Sequence, residues 1–205
     1  MILFSWEFPP RVVGQLSDYV NKLAVELVKK SLDVHVVTYS NSLLGFHQGA
    51  DGVKAHRITE PVKPQINILT WVLNLNQEVE KASADIYYSA QRKVDIIDVQ
   101  DWHFVPAAVT VKKALGIPFV YSIDSIENHR SQGSIGSLSL AIKSLESLGA
   151  DEANGVVVKS DWMKQEVVRS LKVSSDKIET LSPDSASWID DVLKIYGKTL
   201  KVNAN

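Results

Sequence analysis

A dense run of polar side chains follows one of the buried strands that the sequence predicts. The predicted strand Pro118–Ile123 leads directly into Asp124–Arg130, a segment in which six of the seven residues are polar. Carboxylate, amide and guanidinium groups in one short segment are typical of sites that recognise hydroxyl or phosphate groups. A solvated loop with a local ion pair between Glu127 and Arg130 explains the same residues equally well, so both interpretations stay open.

A carboxylate and an indole follow a second predicted strand. Asp101 and Trp102 lie between the strand Asp95–Val99 and a predicted helix. Asp101 is well placed to cap that helix. A carboxylate beside an indole is also a natural lining for a sugar, because the carboxylate accepts hydroxyl protons and the indole packs against the ring face.

A loop containing proline and glycine follows the first predicted strand, Ile2–Trp6. It leads into a helix, whose first backbone N–H groups can bind a phosphate. Gly14 would let a ligand approach the backbone closely, and Arg11 could add a charge-assisted contact. The loop contains neither a G-x-G-x-x-G motif nor a P-loop, and taken alone its residues favour a rigid Pro-Pro turn over a phosphate site.

A fourth polar connection follows the predicted strand Gly155–Lys159. Ser160 or Asp161 is expected to cap the next helix. Trp162 and Met163, which follow at once, are expected to pack in the core rather than to contact a ligand.

Short apolar runs alternate with stretches of helical periodicity along the chain. The predicted strands are Ile2–Trp6, Asp33–Thr38, Val53–Ile58 at a sheet edge, Asp95–Val99, Pro118–Ile123, Gly155–Lys159 and Ile178–Leu181. The predicted helices are Leu16–Val28, Ile68–Ala82, His103–Leu115, Leu138–Leu148, Asp161–Leu171 and Trp188–Leu200. Asn41–Gly52, which contains three glycines, is predicted to be a loop.

Strands separated by helices indicate parallel pairing with right-handed crossovers. The predicted fold class is therefore α/β, with a Rossmann-like, doubly wound and mostly parallel sheet. This domain covers residues 1–181, and residues 182–205 are predicted to form a short linker and a terminal amphipathic helix that packs on the same domain. Ligands of such sheets bind at the carboxyl ends of the strands, so the four polar connections are expected to meet there.

Charge and composition exclude several classes of function. A formal net charge of −2 over 205 residues provides no basic footprint for nucleic acid. The absence of cysteine excludes disulfides and thiolate metal sites, and the five histidines lack metal-binding spacing. No apolar stretch approaches the roughly 18 residues of a membrane span. We therefore expect no metal, no nucleic acid and no membrane contact, and a cytoplasmic location.

Several motifs resemble one family when they are taken together and in order. Ser5–Gly14 resembles the opening strand and loop of glycogen and starch synthases and their retaining GT-B relatives, and Asp101-Trp102 resembles a second motif of that family. Ser122–Glu127 with Arg130 is similar to the loop that carries the family's active-site histidine. Gly149–Met163 is similar to the last helix, strand and helix of its N-terminal domain. The similarity covers about residues 1–178.

The resemblance implies one half of a GT-B architecture, the N-terminal half that binds the growing α-glucan. The complete enzyme would transfer glucose from ADP-glucose or UDP-glucose to a terminal 4-hydroxyl with retention of configuration, with the nucleotide sugar as substrate and no cofactor. The expected partners are an α-glucan or malto-oligosaccharide and a separate donor-binding C-terminal domain. Asp124 stands at the position of the catalytic histidine, and the resemblance implies these substrate-binding residues: Arg11, Gly14, Gln15, Asp101, Trp102, Glu127 and Arg130.

The sequence departs from the family pattern at four places. Gln15 replaces the second glycine of the loop, Gln100 replaces the histidine before Asp101, and Asp124 replaces the active-site histidine. A carboxylate at position 124 could accept a sugar hydroxyl, but it would repel a diphosphate leaving group. After Ile178 the chain turns directly to its terminal helix, so the donor-binding lysine, arginine and glutamate of the second domain are not in this sequence.

Three hypotheses about function follow. The first is an acceptor domain of a synthase that is inactive without a donor-binding domain. The second is a non-catalytic glucan-binding or regulatory module with a degenerate active site, which Gln15 and Asp124 favour. The third, a nucleotide-binding Rossmann enzyme of another class, is disfavoured because the dinucleotide fingerprint is missing.

Overall fold

The computed structural model describes residues 1–63 and 66–202, and within them one eight-stranded sheet forms the centre of the molecule. The strands are β1 Ile2–Ser5, β2 His35–Tyr39, β3 Gly45–Gln48, β4 Lys54–Ile58, β5 Ile97–Gln100, β6 Phe119–Ile123, β7 Gly155–Val158 and β8 Ile178–Thr180. Their order in the sheet is β3-β4-β2-β1-β5-β6-β7-β8. All neighbours pair in parallel except β3, which is antiparallel to β4. The strand order reverses direction between β1 and β5, and such a switch point opens a crevice at the carboxyl ends of the strands.

Helices cover both faces of the sheet in the described part of the chain. They are α1 Gln15–Lys29, α2 Ile68–Ser89, α3 Val105–Leu115, α4 Glu127–Arg130, α5 Ser137–Glu152, α6 Asp161–Leu171 and α7 Trp188–Val202. One core lies between the sheet and α2, α3, α5 and α6, and the other lies between the sheet and α1 and α7. None of the described helices is long and apolar enough to cross a membrane. The predicted doubly wound α/β fold is confirmed.

The edge of the sheet differs from the prediction. Strand β3 lies inside Asn41–Gly52, the segment predicted to be a loop, and it places β4 one position in from the edge. Three of the four β3 residues are exposed and the fourth is half buried. A strand that is open on both faces leaves no alternating apolar pattern in the sequence, because neither of its faces packs on a core.

The terminal helix α7 lies against α1 and the sheet. Its apolar stripe is buried in the core shared with α1, and the rings of Tyr19 and Trp188 are 6.2 Å apart. The Tyr196 hydroxyl donates a 2.6 Å hydrogen bond to Asp98 in the middle of β5. Lys30, which caps the C-terminus of α1, forms an ion pair with Asp190 at 2.6 Å. Helix α7 is therefore held by apolar packing and by a buried polar contact.

Candidate functional site

A cavity of about 400 Å³ opens beside the β1–β5 switch point, at the carboxyl ends of β1, β5 and β6. It is lined by seven of the eight residues that the sequence predicted for a site, together with Glu7 and His103. The seven are Gly14, Gln15, Asp101, Trp102, Asp124, Glu127 and Arg130. A cavity of about 430 Å³ at the opposite edge contains none of these residues. The switch-point cavity is therefore the candidate active site.

Arg130, the last residue of α4, gathers three carboxylates at one wall of the cavity. Its guanidinium lies 2.5 Å from Glu146, 3.3 Å from Glu127 and 3.9 Å from Asp101. It also donates a 2.7 Å hydrogen bond to the Ser125 hydroxyl. The local Glu127–Arg130 pair exists, but it belongs to a larger, partly buried cluster rather than to a solvated loop.

This cluster contains more carboxylates than cations, since one guanidinium stands beside three carboxylates. Burial raises the pKa of Asp101 to about 6 and the pKa of Glu146 to about 7. The pKa of Arg130 is raised as well, because the field of the carboxylates outweighs burial. The two shifts have different main causes: burial penalises the charged form of Asp101 and Glu146 and the nearby Arg130 only partly offsets it, whereas Arg130 is stabilised in its charged form by the carboxylates around it. Carboxylates in that state can still accept hydroxyl protons from a ligand.

Glu146 reaches the cluster from α5, and sequence reasoning missed it. It is fully buried, and one oxygen accepts the Glu127 backbone N–H at 2.7 Å. Gly149, almost one turn later, lets α5 approach α3 and the sheet closely, since a Cβ there would lie only 2.7 Å from a methyl of Val105 in α3 and 3.0 Å from the Tyr121 ring in β6. The sequence does carry a signal, because Glu146 lies four residues after buried Ile142 on the apolar stripe of α5, where a carboxylate is unexpected.

Asp101 combines a structural role with a strained backbone. Its side chain accepts the Trp102 N–H at 2.9 Å and so begins a short 3₁₀ turn, Trp102–Phe104, ahead of α3. Its φ of 64° with ψ of −179° falls in a region that residues with a Cβ rarely adopt, at a cost of about 1–3 kcal/mol. Strain of this size persists where the surrounding structure holds a residue in place, and here it turns a buried carboxylate toward the cavity.

Three stacked rings form one wall of the cavity beside Asp101. His103 lies between Trp6, at 4.6 Å, and Trp102, at 4.3 Å, with ring planes tilted by 11° and 25°. Burial lowers the pKa of His103 to about 3, so the imidazole is neutral. Trp102 is only 3% exposed and packs with Val72 and Ile142. The stack is thus a rigid wall, with little indole surface left open to a sugar.

A carboxylate of the chain itself binds the loop just before α1. One Glu7 oxygen accepts the backbone N–H of Val13 at 2.6 Å and of Gly14 at 2.9 Å. These two N–H groups belong to the loop that leads into the helix N-terminus considered for a phosphate in the sequence analysis. A diphosphate bound to this loop would have to replace Glu7 or reach other groups.

Arg11 lies outside the cavity lining. Its guanidinium sits over the rings of Trp6, at 4.5 Å, and Tyr39, at 5.0 Å, and it donates to the Trp6 carbonyl at 3.3 Å. These contacts hold the loop after β1 against β2. In this structure Arg11 therefore supports the loop.

Asp124 forms an ion pair with Lys159, a residue that sequence reasoning missed. The Lys159 ammonium, just beyond β7, lies 2.5 Å from the Asp124 carboxylate. The neighbouring parallel strands β6 and β7 bring the two groups together. The pair offsets the charge that the sequence analysis expected Asp124 to direct at a diphosphate.

The fourth connection contains one correction. Ser160 caps α6 as expected, with its hydroxyl accepting the Met163 N–H at 3.1 Å, and Met163 is buried. Trp162 was predicted to lie in the core, but it is 58% exposed and stacks on His129. The buried face of α6 runs through Met163, Val167 and Leu171, and Trp162 falls to one side of that stripe.

Comparison with known sequences places these features in a family. A family model described as a glycosyl transferase 4-like domain matches residues 16–184. The chain is 31% identical over 192 residues to an uncharacterized glycosyltransferase of Methanocaldococcus jannaschii, covering 93% of this chain and 47% of that protein. It is 23% identical over 203 residues to a glycogen synthase of Mycobacterium tuberculosis, covering 92% of this chain and 49% of the synthase. The chain thus spans about half the length of the curated relatives it matches.

Solved structures show the same fold. A chain of sucrose-phosphate synthase from Thermosynechococcus elongatus matches with a TM-score of 0.65 and 14% identity, covering 98% of both chains. The catalytic domain of starch synthase IV from Arabidopsis thaliana, bound to ADP and acarbose, matches with a TM-score of 0.62 and 13% identity, covering 88% of this chain and 50% of that one. At these identities the likeness concerns the fold alone. It confirms the prediction of a Rossmann-like half of a GT-B architecture.

Proposed function

The chain belongs to the glycosyl transferase 4-like domain family, and from that premise we propose that it is the acceptor-side half of a retaining glucosyltransferase of the glycogen or starch synthase type. The transfer would move glucose from ADP-glucose or UDP-glucose to an α-1,4-glucan. The observation that carries the proposal is the acidic cavity at the switch point, which brings together seven residues of the family-like motifs. Glycogen biosynthesis, a cytoplasmic location and the absence of a cofactor belong to the same proposal.

The cavity suits an uncharged polyol as acceptor. Asp101 offers a carboxylate to a sugar hydroxyl, and Glu127 and Arg130 supply an acceptor and a donor beside it. The stack of Trp6, His103 and Trp102 keeps this wall rigid, so the sugar would meet groups that are already oriented. Asp124, at the position of the family histidine, lies within the same lining.

A nucleotide sugar needs groups that this half does not offer. The cavity is lined by four carboxylates, and the two loop N–H groups just before α1 are bonded to one of them, Glu7. Arg130 and Lys159 are already paired with carboxylates. Coulomb repulsion would therefore oppose a diphosphate unless a second domain supplied positive charge.

A second domain is also favoured by the surface around the cavity. Val12 and Val13 of the first loop, Ile68 at the start of α2 and Ile135 before α5 are exposed apolar side chains. All four stand on connections at the carboxyl edge of the sheet. An apolar rim of this kind is typical of a surface that another domain covers, and we propose a donor-binding domain as its occupant.

Binding and reconstitution test this function. In a titration followed by NMR, maltotetraose at millimolar concentration should shift backbone signals of Asp101, Glu127 and Arg130, while ADP-glucose and UDP-glucose should show no micromolar affinity. Adding the C-terminal half of the M. jannaschii relative and assaying glucosyl transfer to maltotetraose tests catalysis. Micromolar donor binding by this chain alone, or sugar-induced shifts confined to other surfaces, would contradict the proposal.

The second candidate is a non-catalytic glucan-binding or regulatory module. The observations that favour it are the occupation of the Val13 and Gly14 N–H groups by Glu7 and the closed Asp124–Lys159 pair. This candidate predicts the same maltotetraose shifts but no transfer in any reconstituted mixture. The transfer assay therefore separates the two.

A further inference from the structure

Trp162 exposes a large apolar ring close to the candidate site. Its side chain is 58% exposed, whereas the other four tryptophans of the chain are buried or half buried. One face of the indole stacks on His129, with ring centres 4.8 Å apart and planes 27° apart. Keeping so much aromatic surface in water is unfavourable, and such surface commonly marks a binding site.

The exposed ring is held in position by its neighbours. His129 contacts the Glu166 carboxylate at 2.8 Å, and Glu166 also pairs with Arg169 at 2.5 Å. The Ser160 cap fixes the first turn of α6, which carries Trp162. A ligand that packed on this indole would therefore lose little side-chain entropy from the protein.

Trp162 and His129 lie on elements that adjoin the lining of the cavity. His129 immediately precedes Arg130, which lines the cavity, in the short helix α4. Helix α6 follows β7, the strand next to β6, so both aromatic rings stand at the carboxyl edge of the sheet. The two rings therefore lie at the same edge of the sheet as the cavity, and His129 is the neighbour in α4 of a residue that lines it.

We propose that Trp162 and His129 form a second sugar-binding surface, which takes a glucose unit of the same α-glucan chain whose end enters the cavity. An indole face accepts the apolar face of a pyranose ring, and Glu166 and Arg169 stand beside it to bond ring hydroxyls. A single aromatic ring flanked by charged groups fits an amphipathic sugar better than it fits the apolar centre of a protein interface. This inference rests on the proposed function and adds that long glucans bind better than short ones.

The length of the glucan is the variable that tests the second sugar-binding surface. The full chain is titrated with maltose and with maltoheptaose, and dissociation constants are measured by NMR or calorimetry. Trp162→Ala is compared with Tyr88→Ala, which removes an aromatic side chain of similar exposure, 60%, at the end of α2 on the opposite edge of the sheet. We expect Trp162→Ala to weaken maltoheptaose binding about fivefold to tenfold and to leave maltose binding unchanged. Tyr88→Ala should change neither, and Trp162→Phe should keep part of the effect.

The outcomes separate this inference from the proposed function. If Asp101→Asn weakens maltose binding but Trp162→Ala leaves maltoheptaose affinity intact, the second surface is wrong and the cavity stands. If only Trp162→Ala has an effect, the surface stands and the acceptor role of the cavity fails. Equal losses for maltose and maltoheptaose in Trp162→Ala would overturn the second surface. A shift of the Trp162 indole signal on adding a donor domain without sugar would overturn it too, and would make this a domain contact.

Discussion

Two aspartates only three positions apart, Asp98 and Asp101, stand in two different regions of the molecule. Both are nearly inaccessible to solvent, at 2% and 7%, and burial raises the pKa of each to about 6. Asp98 lies inside the core under α7, and Asp101 lies at the cavity. Residue type, burial and pKa therefore do not distinguish a structural carboxylate from a functional one.

Their partners distinguish them. The Asp98 oxygens accept hydrogen bonds from Tyr196 at 2.6 Å and from Ser122 at 2.7 Å, in a region closed by a helix. Asp101 accepts one N–H from its neighbour Trp102, lies 3.9 Å from Arg130 and has a strained backbone. A closed set of partners stabilises a fold, whereas a carboxylate with acceptor capacity left over and an opening beside it can bind a ligand.

The largest effect is expected from removing the cover over Asp98. Ending the chain after Asp184 deletes α7 and exposes the surface under Trp188, Val192 and Tyr196. At about 1.5–3 kcal/mol for each large apolar side chain, the free energy of unfolding should fall by more than about 5 kcal/mol. We expect a drop in melting temperature of at least about 10 °C, or aggregation, measured by calorimetry and light scattering. A truncated chain that stays monomeric and melts within a degree or two of the full chain would show that α7 is not needed for stability.

The second effect isolates the hydrogen bond between Tyr196 and Asp98. Tyr196→Phe keeps the ring but leaves one Asp98 oxygen without its partner, which should lower the free energy of unfolding by about 1–3 kcal/mol. Urea denaturation at pH 7 measures this loss. Binding of maltotetraose should not change, because Asp98 does not reach the cavity. Weaker sugar binding by a variant that is still folded would argue against the separation of the two regions.

The third effect is the counterpart at the cavity. Asp101→Asn keeps an acceptor for the Trp102 N–H but removes the charge. Sugar affinity should fall about tenfold, since a charged hydrogen bond is replaced by a neutral one, while the melting temperature should change by no more than about 3 °C, since the cap survives. Calorimetric titration measures the sugar affinity, and thermal unfolding measures the melting temperature. If the variant lost stability and kept its sugar affinity, Asp101 would be a structural carboxylate like Asp98.

The smallest effect is a dependence on pH with opposite signs in the two regions. Asp98 has a folded-state pKa of about 6, above its usual range, so the folded state holds its proton more tightly than the unfolded state. Stability from this group is therefore full below about pH 4 and is lost as the pH rises through 6. Asp101 must be ionised to accept sugar hydroxyls most strongly, so sugar affinity should rise severalfold from pH 5 to pH 7. Asp98→Asn should flatten the stability profile and leave the binding profile unchanged, whereas Asp101→Asn should flatten the binding profile and remove the part of the stability profile that comes from its own raised pKa. Urea denaturation and titration across this range measure the two profiles.

Much of the fold and the position of the site could be predicted from the sequence. Near-continuous apolar runs such as Val156–Val158 marked strands buried on both faces, and the rule that ligands bind at carboxyl ends selected the loops that now line one cavity. Strand β3 was missed, because it is exposed on both faces and leaves no pattern. Trp162 was assigned to the core from its residue type, although the buried stripe of α6 begins one residue later.

The amino-acid sequence by itself determined the order of the strands other than β3 and of the helices packed on the sheet, and with it the edge of the sheet at which polar side chains would gather. Hydrophobic periodicity and turn residues are local properties, because they depend only on residues a few positions apart in the sequence. Only the tertiary structure decided the partners: Glu146 with Arg130, Lys159 with Asp124, Tyr196 with Asp98 and Glu7 with the loop before α1. Most of these pairs join residues far apart in the chain, and whether a carboxylate is closed off or open to a ligand depends on which element packs over it.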